Sequence, residues 1–333
     1  MKTKIILCLL GVVLLLSSQA LAGSSERLGT AGAQELRIPV GSRSVSLGGA
    51  VIADVSGAEA IYWNPAGMSS ISKTEVVFSH MEYIADVKLN YFAAMTHLGG
   101  FGSLGVSAKI LSIGDMVHRT ENSPEGDGEI FSPTFSVIGL TYSRQLTDRV
   151  SFGATTMYIS EKIRQEQASG VAFDFGFQYA PGWRGLRLGA VIKNLGPNMK
   201  FDGPGFESII NQPNPSEPMK SEPAAFELPS WVNFGIAYDI YNYQNNRLMA
   251  QGVFQSNNFS QDEFKFGAEY SFKDMFFLRG GYTTSNQTDY IYGPTAGAGL
   301  KLKVSGTDVT VDYSWAQTDF FKDNQVFTVK FAF

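Results

Sequence analysis

The sequence predicts an all-β fold: a 14-stranded antiparallel transmembrane β-barrel with an N-terminal hatch, or plug, containing short helices. Three observations predict it. An export signal opens the chain, long segments alternate apolar and polar side chains with a period of two, and the connections between those segments alternate between short and long.

The signal comes first. Lys2 and Lys4 precede an apolar run from Ile5 to Leu16, and Ala20-Leu21-Ala22 offers an A-x-A cleavage site before Gly23. That run is too short for a spanning helix, which needs about 20 residues. Cys8 lies in mid-run, which disfavours a lipid anchor, and it is the only cysteine in the chain. A mature protein starting at Gly23 therefore has no disulfide, no thiolate metal site and no cysteine nucleophile. Loss of Lys2 and Lys4 leaves 24 basic against 31 acidic residues, a net charge of −7. Nucleic acid is excluded as a partner, because its phosphates call for clustered Lys and Arg.

From Thr74 onward the alternation dominates. Along Glu263 to Phe272 (EFKFGAEYSF), Phe264, Phe266, Ala268, Tyr270 and Phe272 share one face, while Glu263, Lys265, Gly267, Glu269 and Ser271 share the other. Phe173, Phe175, Phe177 and Tyr179 likewise oppose Asp174, Gly176 and Gln178; Val309, Val311, Tyr313 and Trp315 oppose Thr310, Asp312 and Ser314. A soluble sandwich alternates too, but its strands usually run about 5 or 6 residues. Those predicted here run long enough to cross a bilayer, which takes about 9 to 11 tilted residues.

Fourteen strands are predicted at 74–83, 86–97, 101–113, 132–146, 149–163, 169–180, 185–194, 230–241, 246–256, 262–273, 275–285, 292–304, 308–318 and 324–333. Connections after even-numbered strands are tight, as at Gly99-Gly100, Thr147-Asp148 and Lys273-Asp274. Two of those after odd-numbered strands are far longer, Gly114 to Phe131 and Leu195 to Pro229. Short periplasmic turns and long external loops are the asymmetry of an outer-membrane barrel. The last strand, QVFTVKFAF, ends the chain on Phe333.

A barrel of this size encloses a lumen, since about eight strands already fill their own interior. The chain therefore divides into a signal peptide at 1–22, a hatch at 23–73 and the barrel at 74–333. The hatch carries Gly48-Gly49 and the stretch AIYWNPAGM, Ala60 to Met68. Ser56 and Glu59 have capping-box spacing for a short helix. Asn64 should end that helix, because the residue before a proline is pushed out of the α region. Tyr62 and Trp63 are expected to pack under the barrel, with Asn64, Pro65, Ala66 and Gly67 making a corner close to the wall.

Gly29 to Ala50 (GTAGAQELRIPVGSRSVSLGGA) followed by AIYWNPAGM resembles the amino-terminal signature of the PorV/PorQ family, within the wider FadL-like outer-membrane group. The resemblance continues in GFGSLGVSAKIL (100–111), GVAFDFGFQY (170–179) and LRLGAVIKNLGPNMKFDG (186–203). Departures are Met68, where leucine is usual, and Ser42 and Ser44, where alanine is usual. The resemblance implies a plugged fourteen-strand barrel in the outer membrane of a Gram-negative-type bacterium, in contact with outer-membrane lipid. It also implies one of two jobs. PorV-like members hold the carboxy-terminal signal domains of exported proteins in type IX secretion and hand them to a translocon. FadL-like members pass hydrophobic small molecules.

Chemistry is sparse. His80, His97 and His118 fall on different predicted elements without i, i+4 pairing, so no metal site is expected. GFGSLG at 100–105 matches G-x-G-x-x-G but opens a strand, so it offers no helix terminus to a phosphate. No G-x-S-x-G occurs. Asp174, Asp239, Glu263, Glu269, Lys265, Arg187 and Arg279 fall on polar strand faces and read as a hydrated lumen. No catalytic residue and no cofactor are expected; the chain reads as no enzyme. In the proline-rich loop, Phe206, Ile209 and Ile210 form an apolar patch expected to meet a ligand or partner.

Overall fold

In the computed structural model, residues 27–208, 219–220, 222–287 and 290–333 are described; the expected export signal, Ile209 and Ile210 lie outside them. Fourteen wall strands follow one another: β1 (Glu75–Glu82), β2 (Lys88–His97), β3 (Ser103–Ser112), β4 (Thr134–Thr147), β5 (Val150–Ile163), β6 (Glu166–Tyr179) and β7 (Arg187–Leu195). They continue as β8 (Trp231–Tyr243), β9 (Asn246–Asn257), β10 (Glu263–Phe272), β11 (Phe276–Ser285), β12 (Tyr292–Val304), β13 (Thr307–Thr318) and β14 (Asn324–Ala332). Each pairs antiparallel with its sequence neighbours, and β1 pairs with β14 from Glu75↔Ala332 to Glu82↔Gln325, which closes the barrel. Closure leaves no sheet edge in lipid, the condition a spanning sheet must meet.

The two-residue alternation sets the inside and the outside. On β10, Phe264, Phe266, Tyr270 and Phe272 are exposed while Glu263, Glu269 and Ser271 are buried. On β6, Phe173, Phe175, Phe177 and Tyr179 face out and Asp174 is 1% exposed. The outward faces make an aromatic and aliphatic band suited to lipid. The terminal strand obeys the same rule, with Phe327 and Phe333 out and Thr328 in.

Residues 27–73 fill the lumen with short pieces: 3₁₀ turns at Gln34–Arg37, Gly57–Glu59 and Pro65–Ser70, and helices α1 (Ser42–Ser46) and α2 (Ala60–Trp63). The segment threads from the long-loop end, where Arg27 pairs with Glu227 at 2.7 Å, to the short-turn end, where Lys73 meets Asp308 at 2.7 Å. Its Leu47, Ile52, Ile61 and Met68 are fully buried in one core with Val77, Met81 and Leu89 of the wall. Each such side chain contributes about 1.5–3 kcal/mol when withdrawn from water.

Local readings met tertiary competition at one point. Ser56 stands at the amino end of the Gly57–Glu59 turn, yet its side chain caps nothing. The Glu75 carboxylate of β1 accepts the Ala58 N–H at 3.0 Å instead, and Glu59 turns to Lys330 of β14 at 3.4 Å. A wall carboxylate has replaced the capping box. The long connection after β3 also has structure of its own, a small hairpin pairing Met116–Val117 with Ile130–Phe131.

Candidate functional site

The short-turn end of the lumen is closed by charge. Asp54 of the hatch receives Arg43 at 2.7 Å, Arg187 at 2.9 Å and Arg247 at 3.2 Å; Arg187 and Arg247 also share Asp239, each at 2.7 Å. Arg43 continues to Glu269 at 3.0 Å, Glu269 to Arg279 at 2.6 Å, and Arg279 to Asp312 at 2.5 Å. At this end the polar inner face is occupied by ion pairs. Its charges pair with the hatch and with one another, because carboxylates and guanidiniums withdrawn from water need partners.

AIYWNPAGM makes a close contact with the wall. Asn64 leaves α2 with φ −154° and ψ 103°; its Oδ1 accepts the Ala66 N–H, and its Nδ2 donates to Ile52 O at 2.8 Å and Phe177 O at 3.0 Å. Pro65 opens the next turn, where it lacks nothing by having no N–H. Opposite stand two wall glycines. A Cβ on Gly176 would lie 2.0 Å from Asn64 Oδ1, and one on Gly153 would lie 2.3 Å from the Pro65 carbonyl carbon. Gly67 matches them from the hatch side, where a Cβ would meet Val55 O at 2.0 Å. Gly48 and Gly49 have φ of +63° and +75°, a region that favours glycine, and a Cβ on Gly49 would sit 3.1 Å from the Trp63 ring.

Tyr62 and Trp63 do not pack under the barrel. Tyr62 Oη donates to the carbonyls of Leu36 and Ile38 at 3.1 and 2.9 Å, and Trp63 Nε1 donates to Val40 O at 3.0 Å. These bonds fold the hatch onto itself and turn both rings toward the long-loop end. There they help line a cavity of about 550 Å³, within the roughly 300–1,000 Å³ usual for small-molecule sites. Trp231 and Lys193 form its wall, and Tyr83, Tyr290 and Tyr292 its rim. Tyr83 and Tyr292 are joined through their hydroxyls at 2.8 Å. Lys193 lies 3.8 Å from the centre of the Tyr62 ring, and Lys265 is neutralised by Glu263 at 3.1 Å and bound to Gln255 at 2.7 Å.

Glu35 lies beside this cavity, 2% exposed, with no hydrogen-bond donor to either carboxylate oxygen among the described residues. Burial, and then the neighbouring Glu161 carboxylate, push its pKa up to about 8. Periodicity does not single out Glu35, because its position depends on how the hatch meets β5.

Of the residues expected to meet a partner, Phe206 is half-buried in a turn at Pro204–Phe206, and nothing is described for Ile209 and Ile210. The proline-rich loop begins against the wall: Phe201 and Asp202 pair with Ala168 and Gln167 of β6, above the short β7. The three histidines are far apart in role. His80 bonds Asn90, His97 bonds Ser103, and His118 gathers Asp127 and Glu129 around it.

Solved structures share this architecture. A monoaromatic hydrocarbon channel, CymD, superposes with a TM-score of 0.54 at 12% identity, over 88% of this chain and 96% of that one. The toluene transporter TodX of Pseudomonas putida gives 0.56 at 12% identity over 88% and 97%, and a FadL homologue of Pseudomonas aeruginosa 0.53 at 12% over 89% and 98%. At such identity the likeness is one of fold. No curated protein sequence matches the chain. The profile of the type IX secretion system protein PorV, however, matches residues 22–215. The chain belongs to the PorV family, as an outer-membrane β-barrel of FadL-like architecture.

Proposed function

We propose that the protein is a non-enzymatic docking component of a type IX-like secretion route in the outer membrane of a Gram-negative-type bacterium. Its external loops hold the carboxy-terminal signal domains of exported proteins and hand them to a translocon, while residues 23–73 act as a hatch. The observation that carries this reading is the family match over residues 22–215. The hatch supports it, because a lumen filled by ion-paired and apolar contacts suits a docking platform better than an open pore. In this reading Gly48, Gly49, Tyr62, Trp63, Asn64, Pro65, Ala66 and Gly67 set the hatch, and Phe206, Ile209 and Ile210 form part of the partner surface. The test is purification of the protein from its native membrane after brief crosslinking. Cargo signal domains or a translocon subunit are expected among the linked proteins, and finding neither removes the proposal.

A second reading rests on the cavity beneath the external loops. A FadL-like path would admit a hydrophobic small molecule there and shift the hatch to release it. Uptake of labelled toluene that is identical in cells with and without the gene would remove this alternative.

A further inference from the structure

The hairpin in the loop after β3 brings together three side chains that neither reading of the barrel uses. Its two strands pair Met116 with Phe131 and Val117 with Ile130, so His118 falls opposite Glu129, and the His118 N–H donates to Glu129 O at 2.9 Å. Asp127 lies two residues from Glu129 across Gly128, whose φ is +90°. Cross-strand partners, and residues two apart, share a face of such a ribbon. One ligand atom from each of His118, Asp127 and Glu129 accordingly lies within 4.8 Å of the others.

Each carboxylate is also held from behind. Asp127 Oδ1 accepts the Glu129 N–H at 3.0 Å, which leaves Oδ2 2.6 Å from His118 Nδ1. Glu129 is gripped by the guanidinium of Arg164, from the tight turn between β5 and β6, at 2.9 and 2.6 Å, with Oε2 3.8 Å from His118 Nδ1. A carboxylate offers about four lone-pair directions, so the Arg164 fork leaves Oε2 free to accept a further partner. Such outer contacts orient metal ligands in known sites.

We propose that His118, Asp127 and Glu129 form a transition-metal site of zinc type on the external hairpin, with its remaining coordination position open to solvent. One imidazole and two carboxylates suit zinc, and three protein ligands with an open position form a familiar zinc arrangement. Two carboxylates and the Arg164 guanidinium give the surroundings a net negative charge, which favours a dication. The three ligands come from both arms of the hairpin, so a bound ion would pin its Thr120–Gly126 tip.

The test is zinc titration of the whole untagged mature protein in detergent, read by calorimetry, alongside His118→Ala, Asp127→Asn and His80→Ala. One saturable equivalent of zinc is expected, with binding weakened at least about tenfold in His118→Ala and Asp127→Asn and unchanged in His80→Ala. Zinc should also slow tryptic cleavage after Arg119. Heat-modifiable migration confirms that each variant keeps its barrel. The site is refuted if the native chain binds no zinc at tenfold excess, or if His118→Ala binds it as tightly as the native chain.

Discussion

The two ends of the lumen are built on different principles. At the short-turn end, Asp54, Arg43 and Glu269 tie the hatch to Arg187, Arg247 and Arg279 in one connected set of ion pairs. At the loop end the same hatch turns aromatic rings, amides and Glu35, beside Glu161, toward a cavity. One end fixes position, and the other leaves room to receive something. A single segment, residues 27–73, serves both because it threads the barrel from end to end.

Breaking the fixed end should have the largest effect. Asp54→Ala removes the one carboxylate that three guanidiniums share, leaving Arg43 only Glu269 and leaving Arg187 and Arg247 only Asp239. Loss of one partner of a buried pair costs about 3–5 kcal/mol, and the partial exposure of Arg187 and Arg247 puts this case toward the lower figure. Thermal unfolding in detergent should occur at a clearly lower temperature, and outer-membrane permeability to large antibiotics should rise. An unchanged midpoint would show that the network does not hold the hatch.

A smaller loss is expected at the wall contact. Gly176→Ala places a methyl group 2.0 Å from Asn64 Oδ1, and overpacking of this kind costs about 1–3 kcal/mol. Gly252→Ala is the control, since its nearest neighbours would be 3.7 Å away. Equal midpoints for the two variants would remove close approach as the reason for glycine at 176.

The loop end should respond to pH instead. Glu35 ionises near 4.5 when unfolded and near 8 in the fold, so between these values the folded chain holds the extra proton. Its contribution to stability therefore falls as pH rises from about 5 to 8. In Glu35→Gln that part of the slope should vanish, and thermal midpoints taken across this range check it. A slope equal to that of the native chain would assign the dependence to other groups.

The wall was legible because a strand repeats every two residues: each of the fourteen segments declares its inner and outer face without reference to its neighbours. The helix stop at Asn64 was legible for a similar reason, since a proline constrains the residue before it. The Ser56 cap was misread because Glu75, 19 residues further on, competes for the turn's N–H groups. The ion pairing of the inner face was not legible because strand faces show that a side chain is polar and inward, but not what stands opposite. His118 looked isolated because its neighbours are set by hairpin register rather than by helical spacing.

Sequence alone thus determined strand number and strand facing, properties carried by local periodicity. Tertiary structure decided which inner charges pair, where glycine is required by close approach, and that Tyr62 and Trp63 face a cavity. It also placed Glu35 beside Glu161 and gathered three ligands on one hairpin. These depend on distances between residues tens to hundreds of positions apart, which closure of the barrel around its own amino terminus fixes and no local pattern encodes.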